Sequence, residues 1–143
     1  EKGSDSIQPS LAENDKKKVL YIEDIPANVE LLSQILNNRP YIELLSAFNA
    51  PDGIKKAQDH IPDLILMDIN LPGMDGREAL KKLQNIDAVK NIPVFALTAD
   101  AMEVDIKKTL DMGFKDYITK PIDVPKFLQR IDRFFAANPP KLQ

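Results

Sequence analysis

The stretch that restricts the fold most strongly is the apolar run at residues 64–67, which ends in a single acid, Asp68. Turn-forming residues follow it at Pro72 and Gly73. A short continuous apolar run bounded by turn residues is typical of a strand that is buried on both faces of a sheet. Because both faces of such a strand need cover, the run predicts an α/β fold with helices packed on each side.

Four other predicted strands alternate with amphipathic helices along the chain. These strands lie at residues 19–22, 41–47, 93–97 and 116–119. The first two helices open at Pro26 and Pro51, since proline suits the first turn of a helix. Further helices are expected at about residues 75–85, 102–112 and 124–136. Repeated strand–helix–strand units predict parallel strands joined by right-handed crossovers.

The first helix carries an apolar stripe that is expected to face the core. Val29, Leu32 and Leu36 recur at helical spacing, and Ile25 extends the stripe toward the preceding strand. Leu31 falls on roughly the opposite side of the helix, so its side chain is expected to be exposed.

Length and composition indicate one ordinary globular domain. The chain has 143 residues and a formal net charge of −3, which does not favour nucleic-acid binding. It has no cysteine, which excludes disulfides and thiolate chemistry and agrees with a cytoplasmic location. No apolar stretch approaches the roughly 20 residues of a membrane span, so no membrane contact is expected from this segment. We expect a linker or disordered tail at 1–15, the folded domain at 16–137 and a C-terminal tail at 138–143.

Every candidate functional residue follows a predicted strand. Glu23 and Asp24 follow the first strand, Asp68 the third, Thr98 the fourth and Lys120 the fifth. The carboxyl ends of parallel strands share one edge of a sheet, which is where α/β folds bind their ligands. Each residue alone has an ordinary explanation, as a helix cap, a turn residue or a surface lysine. Their coincidence at the ends of four strands favours a functional site.

The chemistry of this set points to phosphoryl transfer. Three carboxylates packed together repel one another unless a proton or a cation lies among them. Oxygen ligands without histidine or cysteine favour a hard ion, most plausibly Mg²⁺. A metal ion, the Lys120 ammonium and the Thr98 hydroxyl together stabilise a phosphoryl group in transfer. Asp68 is the natural nucleophile because a carboxylate can accept a phosphoryl group as a mixed anhydride.

Four motifs resemble the response-regulator receiver domain of two-component signalling. They are VLYIEDIPAN, LILMDINLPGMDG, VFALTAD and DYITKPI, and the resemblance covers about residues 17–136. It implies a flavodoxin-like (βα)5 doubly wound sheet with strand order 2-1-3-4-5. It also implies a cis peptide at Lys120-Pro121. Glu23 departs from the family pattern, in which many members have aspartate.

The resemblance assigns a role to each site residue. Asp68 would take a phosphoryl group from phosphohistidine, and Mg²⁺ would bind Asp24, Asp68 and the backbone carbonyl of Asn70, with Glu23 supporting it through water. The Thr98 hydroxyl, the Ala99 backbone N–H and Lys120 would contact the phosphoryl oxygens. Tyr117 matches the aromatic residue that turns inward when Thr98 moves.

Further implications concern lifetime and partners. Asn70 and Asp100 flank the path of the attacking water, and neither is expected to block it, so the acyl phosphate is expected to be short-lived. An apolar rim of Ile25, Pro26, Leu31 and Pro121 could receive a phosphodonor helix bundle. The expected donor is a histidine kinase or a histidine phosphotransfer domain.

The resemblance also sets the expected class of protein. It is a signalling phosphoacceptor that catalyses only its own phosphorylation and slow dephosphorylation. It is expected to be a monomer or a weak phosphorylation-dependent dimer. Its context is either a stand-alone receiver or the terminal receiver of a hybrid histidine kinase, whose membrane anchor would lie elsewhere in the parent protein.

Two other classes of protein are alternatives to this family. A haloacid-dehalogenase-like phosphatase would use Asp68 as nucleophile, but it normally needs a second Asp where this chain has Asn70. A flavodoxin-type FMN module needs a hydroxyl- and glycine-rich loop after the first strand, where this chain has Glu-Asp-Ile-Pro. His60 is interpreted as an incidental surface histidine.

Overall fold

The computed structural model describes residues 16–99 and 103–137, with the side chains of 103–105 left out. The predicted tails at 1–15 and 138–143 lie outside the described residues, as does Asp100.

Five parallel strands form a single sheet among the described residues. They are β1 (Lys17–Ile22), β2 (Ile42–Ala47), β3 (Leu64–Asp68), β4 (Val94–Thr98) and β5 (Asp116–Thr119). Their order is β2-β1-β3-β4-β5, and every neighbouring pair is parallel. The flavodoxin-like topology is therefore confirmed, with β3 at the centre and its carboxyl end between those of β1 and β4.

Helices connect the strands and cover both faces of the sheet. They are α1 (Pro26–Leu36), α2 (Ala50–His60), α3 (Gly76–Gln84), α4 (Glu103–Asp111) and α5 (Val124–Ala137). Asn49 caps α2 by accepting a hydrogen bond from the Asp52 backbone N–H at 2.8 Å. Asp75 caps α3 in the same way. Within the described part of the chain, no helix combines the length and the apolar composition needed to cross a membrane.

The alternation of side chains along the strands divides the core into two layers. On β3, Ile65 and Met67 pack in the layer beneath α2 and α3, whereas Leu64 and Leu66 pack in the layer beneath α1 and α5. All five residues of β3 are buried, as its uninterrupted apolar sequence predicts. Complete burial of one such side chain contributes about 1.5–3 kcal/mol to stability. Asp68 therefore ends a strand that is packed on both faces.

Several predicted boundaries differ from the structure by one or two residues. β1 begins at Lys17 because the Lys17 backbone N–H bonds the Tyr41 carbonyl oxygen at 2.8 Å, before the apolar run starts. Asp68 and Thr98 are the last residues of β3 and β4, where the sequence predicted that they follow these strands. The parallel ladder continues through them, since Asp68 pairs in register with Leu97.

At α1, the predicted burial of Ile25 is wrong, whereas the predicted exposure of Leu31 is confirmed. Ile25 is 48% exposed because it is the extended residue that precedes the helix, with φ −98° and ψ 111°. The prediction for Leu31 is confirmed, since this side chain is also 48% exposed. Both apolar side chains therefore lie on the surface.

Ile61, which ends α2, adopts a backbone conformation that suits its residue type poorly. Its φ is 45° and its ψ is 67°, so a β-branched residue occupies the left-handed region. We expect Ile61→Asn to be more stable than Ile61→Thr by about 1 kcal/mol, because asparagine tolerates this region and threonine keeps the β-branch. Urea denaturation of both variants measures the difference. Equal stability of the two variants would show that the left-handed backbone conformation at residue 61 costs no free energy of folding.

Candidate functional site

The carboxyl edge of the sheet brings together three acids from two strands. Glu23 and Asp24 directly follow β1, and Asp68 ends β3. One carboxylate oxygen from each of the three lies within 4.8 Å of the others. Glu23 and Asp68 are buried, while Asp24 is half-buried at the mouth of the cluster. The structure therefore places the three predicted acids within reach of a single cation.

Lys120 reaches this cluster from the end of β5. Its Nζ donates to Glu23 Oε1 at 2.9 Å and to Asp68 Oδ2 at 3.1 Å. Burial lowers the pKa of Lys120, but the two carboxylates that it contacts outweigh this effect and raise the pKa above its usual value. Lys120 is therefore a permanent cation that links the two buried acids.

Glu23 is the most enclosed member of the cluster. Its Oε1 accepts hydrogen bonds from the Tyr21 hydroxyl at 3.0 Å and from Lys120, and its Oε2 accepts one from the Ile25 backbone N–H at 3.2 Å. Burial raises the pKa of Glu23, yet the Lys120 and Ile25 donors more than compensate and lower it. Glu23 therefore remains a carboxylate although it is completely buried.

The Asp68 carboxylate differs from that of Glu23 in how far its hydrogen bonds offset the effect of burial on its pKa. Its Oδ1 accepts a hydrogen bond from the Asn70 backbone N–H at 3.0 Å, and its Oδ2 faces Lys120. Burial raises the pKa of Asp68, and the negative charge of Glu23 adds to this effect, so the two donors compensate only in part. The Asp68 carboxylate is thus the less stabilised of the two buried anions.

A tight loop behind Asp68 fixes its backbone. The Gly76 N–H, at the start of α3, donates to the Ile69 carbonyl at 2.9 Å. A Cβ at position 76 would lie 2.7 Å from the Asp68 carbonyl oxygen and 2.9 Å from Ile69 Cα. Only glycine leaves space for the backbone that carries Asp68 to pass so close to the helix.

Thr98 and Ala99 lie beside the acids at the end of β4. The Thr98 side chain is buried and Ala99 is exposed. The Lys120 backbone N–H donates to the Thr98 carbonyl oxygen at 2.9 Å, which ties the lysine to β4 as well as to β5. Asn70 is exposed above Asp68. The Lys120-Pro121 peptide is cis, as the resemblance implied.

Tyr117 lies farther back along β5, in register with Ala96 of β4. Its ring is half-buried, and the Arg130 guanidinium carbon is 5.4 Å from the ring centroid. Arg130 also donates to the Tyr117 carbonyl oxygen at 2.6 Å and to Asp116 at 2.9 Å. The structure therefore keeps Tyr117 apart from the acid cluster and in contact with α5.

Sequence reasoning missed two residues that shape the site, Tyr21 and Gly76. Tyr21 looked like an ordinary apolar member of β1, yet it stands two residues before Glu23, the spacing at which strand residues share a face. Burial and the nearby charge of Glu23 raise the pKa of the Tyr21 hydroxyl, so it stays protonated and can donate. For Gly76, the sequence showed only a glycine near a helix start.

The donor set of this cluster suits Mg²⁺. It offers carboxylate oxygens from three residues, and the chain contains no cysteine. Mg²⁺ prefers such hard oxygen ligands and usually keeps several waters. The half-buried position of Asp24 leaves a solvent-facing side for those waters.

Comparisons with known proteins agree on one family. A family model described as the response regulator receiver domain matches residues 19–132. The polar-differentiation response regulator DivK of Brucella anthropi is 38% identical over 120 residues, which are 84% of this chain and 97% of that protein.

Two solved structures extend this agreement to the fold. The receiver domain of a sensor histidine kinase from Pseudomonas aeruginosa is 26% identical, with a TM-score of 0.75 over 85% of this chain and 98% of that one. That structure has a magnesium ion coordinated in its active-site cleft. The chemotaxis response regulator CheY4 of Vibrio cholerae shares the fold, with a TM-score of 0.76, 24% identity, and coverage of 82% of this chain and 98% of that one.

The close approach at Gly76 can be tested against a second glycine of the same loop. We expect Gly76→Ala to destabilise the protein by about 1–3 kcal/mol, because a methyl group there must displace backbone. Gly73→Ala should cost only about 1 kcal/mol, since φ is 78° but nothing lies within 4 Å of the added carbon. NMR shifts of Asp68 and Ile69 should change in the first variant alone. Similar shift changes in both would contradict the steric explanation.

Proposed function

Because the chain belongs to the response regulator receiver domain family, we propose that Asp68 accepts a phosphoryl group from phosphohistidine in a Mg²⁺-dependent reaction. Receiver domains are signalling phosphoacceptors that take phosphoryl groups from histidine kinases or phosphotransfer proteins, and they bind Mg²⁺ at an acidic site. The observation that carries the proposal is the placement of Asp68 between Lys120 and the Asn70 N–H, beside two further acids.

The residues that would hold Mg²⁺ are Asp24, Asp68 and the backbone carbonyl of Asn70, with Glu23 supporting the ion through water. When bound, the ion supplies positive charge that offsets the charge of the phosphoryl oxygens. The clustering of three acid oxygens within 4.8 Å supports this assignment.

The transfer itself exchanges one bond for another. An oxygen of Asp68 attacks phosphorus to form an O–P bond as the P–N bond to the donor imidazole breaks, and the electron pair of that bond returns to the imidazole nitrogen. Lys120 stands 3.1 Å from Asp68 Oδ2, where its charge would meet the incoming phosphoryl oxygens. The Thr98 hydroxyl and the Ala99 backbone N–H would donate to the same group.

The phosphoryl group would switch the domain through a shift in population. Its charge favours the arrangement in which Thr98 reaches it, and Tyr117 then turns into the space that Thr98 leaves. The surface of α4, β5 and α5 changes as a result. To move the equilibrium from 1:99 to 99:1 would take about 5.5 kcal/mol of differential stabilisation.

The lifetime of the phosphoryl group would depend on Asn70 and Asp100, which flank the path of the attacking water. Asn70 is exposed and short, which supports open access of water to the acyl phosphate. Asp100 lies outside the described residues, so its part stays a prediction.

The biological setting is proposed on the same basis. The donor is a histidine kinase or a histidine phosphotransfer domain, and the chain acts in the cytoplasm as a stand-alone receiver or as the terminal receiver of a hybrid histidine kinase. It is a monomer or a weak phosphorylation-dependent dimer, without direct contact to nucleic acid. Ile25, Pro26, Leu31 and Pro121 are all exposed, which supports their use as a docking rim for the donor.

The central claim can be tested by intact-mass measurement. Incubation with Mg²⁺ and a small acyl phosphate should add one phosphoryl group to the wild type and none to Asp68→Asn, because the amide cannot act as the nucleophile. Asp63→Asn is a matched control, since Asp63 lies just before β3, at the opposite end of the strand from Asp68, where its carboxylate accepts a hydrogen bond from the Lys18 backbone N–H at 2.8 Å. It should be phosphorylated like the wild type. Modification of Asp68→Asn would overturn the assignment, and continuous phosphate release on many turnovers would indicate a phosphatase instead.

The docking rim can be tested with two kinds of donor. Leu31→Asp should lower the rate constant for transfer from a phosphohistidine protein by about tenfold, the effect of losing roughly 1.4 kcal/mol at an apolar contact. Its rate with a small acyl phosphate should stay unchanged. Leu110→Asp, which alters an exposed leucine of α4, is the matched control and should leave both rates unchanged. Unaltered transfer from the protein donor to Leu31→Asp would exclude this surface.

A further inference from the structure

Tyr21 is a buried core residue whose polar end reaches the acid cluster. The side chain is 1% exposed and packs in the layer beneath α1 and α5, among residues such as Leu32 and Phe127. Its hydroxyl donates to Glu23 Oε1 at 3.0 Å. A tyrosine hydroxyl that is buried needs a hydrogen-bond partner, and here that partner is a carboxylate of the site.

The donors that hold Glu23 differ in how firmly they are fixed. Lys120 is a flexible side chain that divides its contacts between Glu23 and Asp68. Tyr21 is held by core packing, and the Ile25 N–H belongs to the backbone at the start of α1. Among the described residues, Tyr21 and the Ile25 N–H would then be the donors left to Glu23 if a phosphoryl group drew Lys120 toward Asp68.

We propose that Tyr21 is a positioning residue that holds the Glu23 carboxylate in the orientation needed to support Mg²⁺, independently of Lys120. This inference rests on the proposed function, because it concerns the same metal site. Without the Tyr21 hydroxyl, Glu23 Oε1 has Lys120 as its single donor in the described structure, so the carboxylate would turn toward the lysine and would be less well placed to support Mg²⁺.

The length of the Glu23 side chain is part of the same arrangement. An aspartate at this position would be one methylene shorter and would withdraw its carboxylate from the Tyr21 hydroxyl. Tyr21 and Glu23 therefore act as a pair, and the hydroxyl should matter only when the longer acid is present. This dependence separates a positioning role from a general contribution of Tyr21 to the core.

The test compares two single variants, each of which lacks one tyrosine hydroxyl. Calorimetric titration with Mg²⁺ should show about tenfold weaker binding to Tyr21→Phe than to the wild type, the usual effect of losing a partner of a metal-supporting residue. Tyr41→Phe is the matched control, because the Tyr41 hydroxyl also donates to a carboxylate, Asp132 Oδ1 at 2.8 Å, at the other end of the sheet. It should leave Mg²⁺ affinity unchanged. Thermal denaturation without Mg²⁺ checks that both variants fold.

Two further measurements make the outcome specific. At saturating Mg²⁺, phosphorylation of Tyr21→Phe by a small acyl phosphate should recover the wild-type maximal rate, whereas a lower maximal rate would indicate a structural defect and overturn the proposal. In a Glu23→Asp background, adding Tyr21→Phe should change Mg²⁺ affinity no further, and a second loss of similar size would also overturn it.

If Tyr21→Phe binds Mg²⁺ as tightly as the wild type, the inference fails and the proposed function stands. If the wild type itself binds no Mg²⁺, the proposed function fails at its metal site.

Discussion

The site depends on an excess of negative charge that the fold buries and only partly compensates. Glu23 and Asp68 are enclosed at the carboxyl edge of the sheet, with Asp24 beside them and Lys120 as the cation that contacts both buried acids. A buried ion without a partner costs several kcal/mol, so this arrangement exists only because Lys120 and backbone N–H groups are brought to it. The remaining imbalance favours a second cation, in agreement with the proposed binding of Mg²⁺.

The rest of the structure keeps these charges in place. The two apolar layers fix β1 and β3. The close contact of Gly76, at the start of α3, fixes the backbone of Asp68. At the other end of the sheet, Arg39 and Tyr41 both bond Asp132 of α5, at 2.7 Å and 2.8 Å. This contact holds α5 against β2 and the end of α1 without using any residue of the site. This contact therefore supports the fold from the end of the strands opposite the acids.

The sequence predicted the alternation of strands and helices and the meeting of the acids, because apolar periodicity and parallel connectivity are local properties. It did not determine the order of the strands, which came from the resemblance to receiver domains. Ile25 was misassigned because periodicity cannot show where a helix starts, and the cap residue is extended. Tyr21 was missed because its contact with the acids depends on whether its hydroxyl reaches the Glu23 carboxylate, two residues farther along the chain. The 3.0 Å distance between the Tyr21 hydroxyl and Glu23 Oε1 can be read only from the three-dimensional structure.

The tyrosine side chains can also serve as intrinsic spectroscopic probes of three regions of the protein. The chain has three tyrosines and no tryptophan. Tyr21 borders the acids, Tyr117 contacts Arg130 on the face of β5 and α5, and Tyr41 lies in the contact with Asp132. Each phenol therefore reports on a different region, and no indole masks its near-ultraviolet signal. Replacing any two of them with phenylalanine leaves one tyrosine, which reports on the acid cluster, on the face of β5 and α5, or on the contact with Asp132.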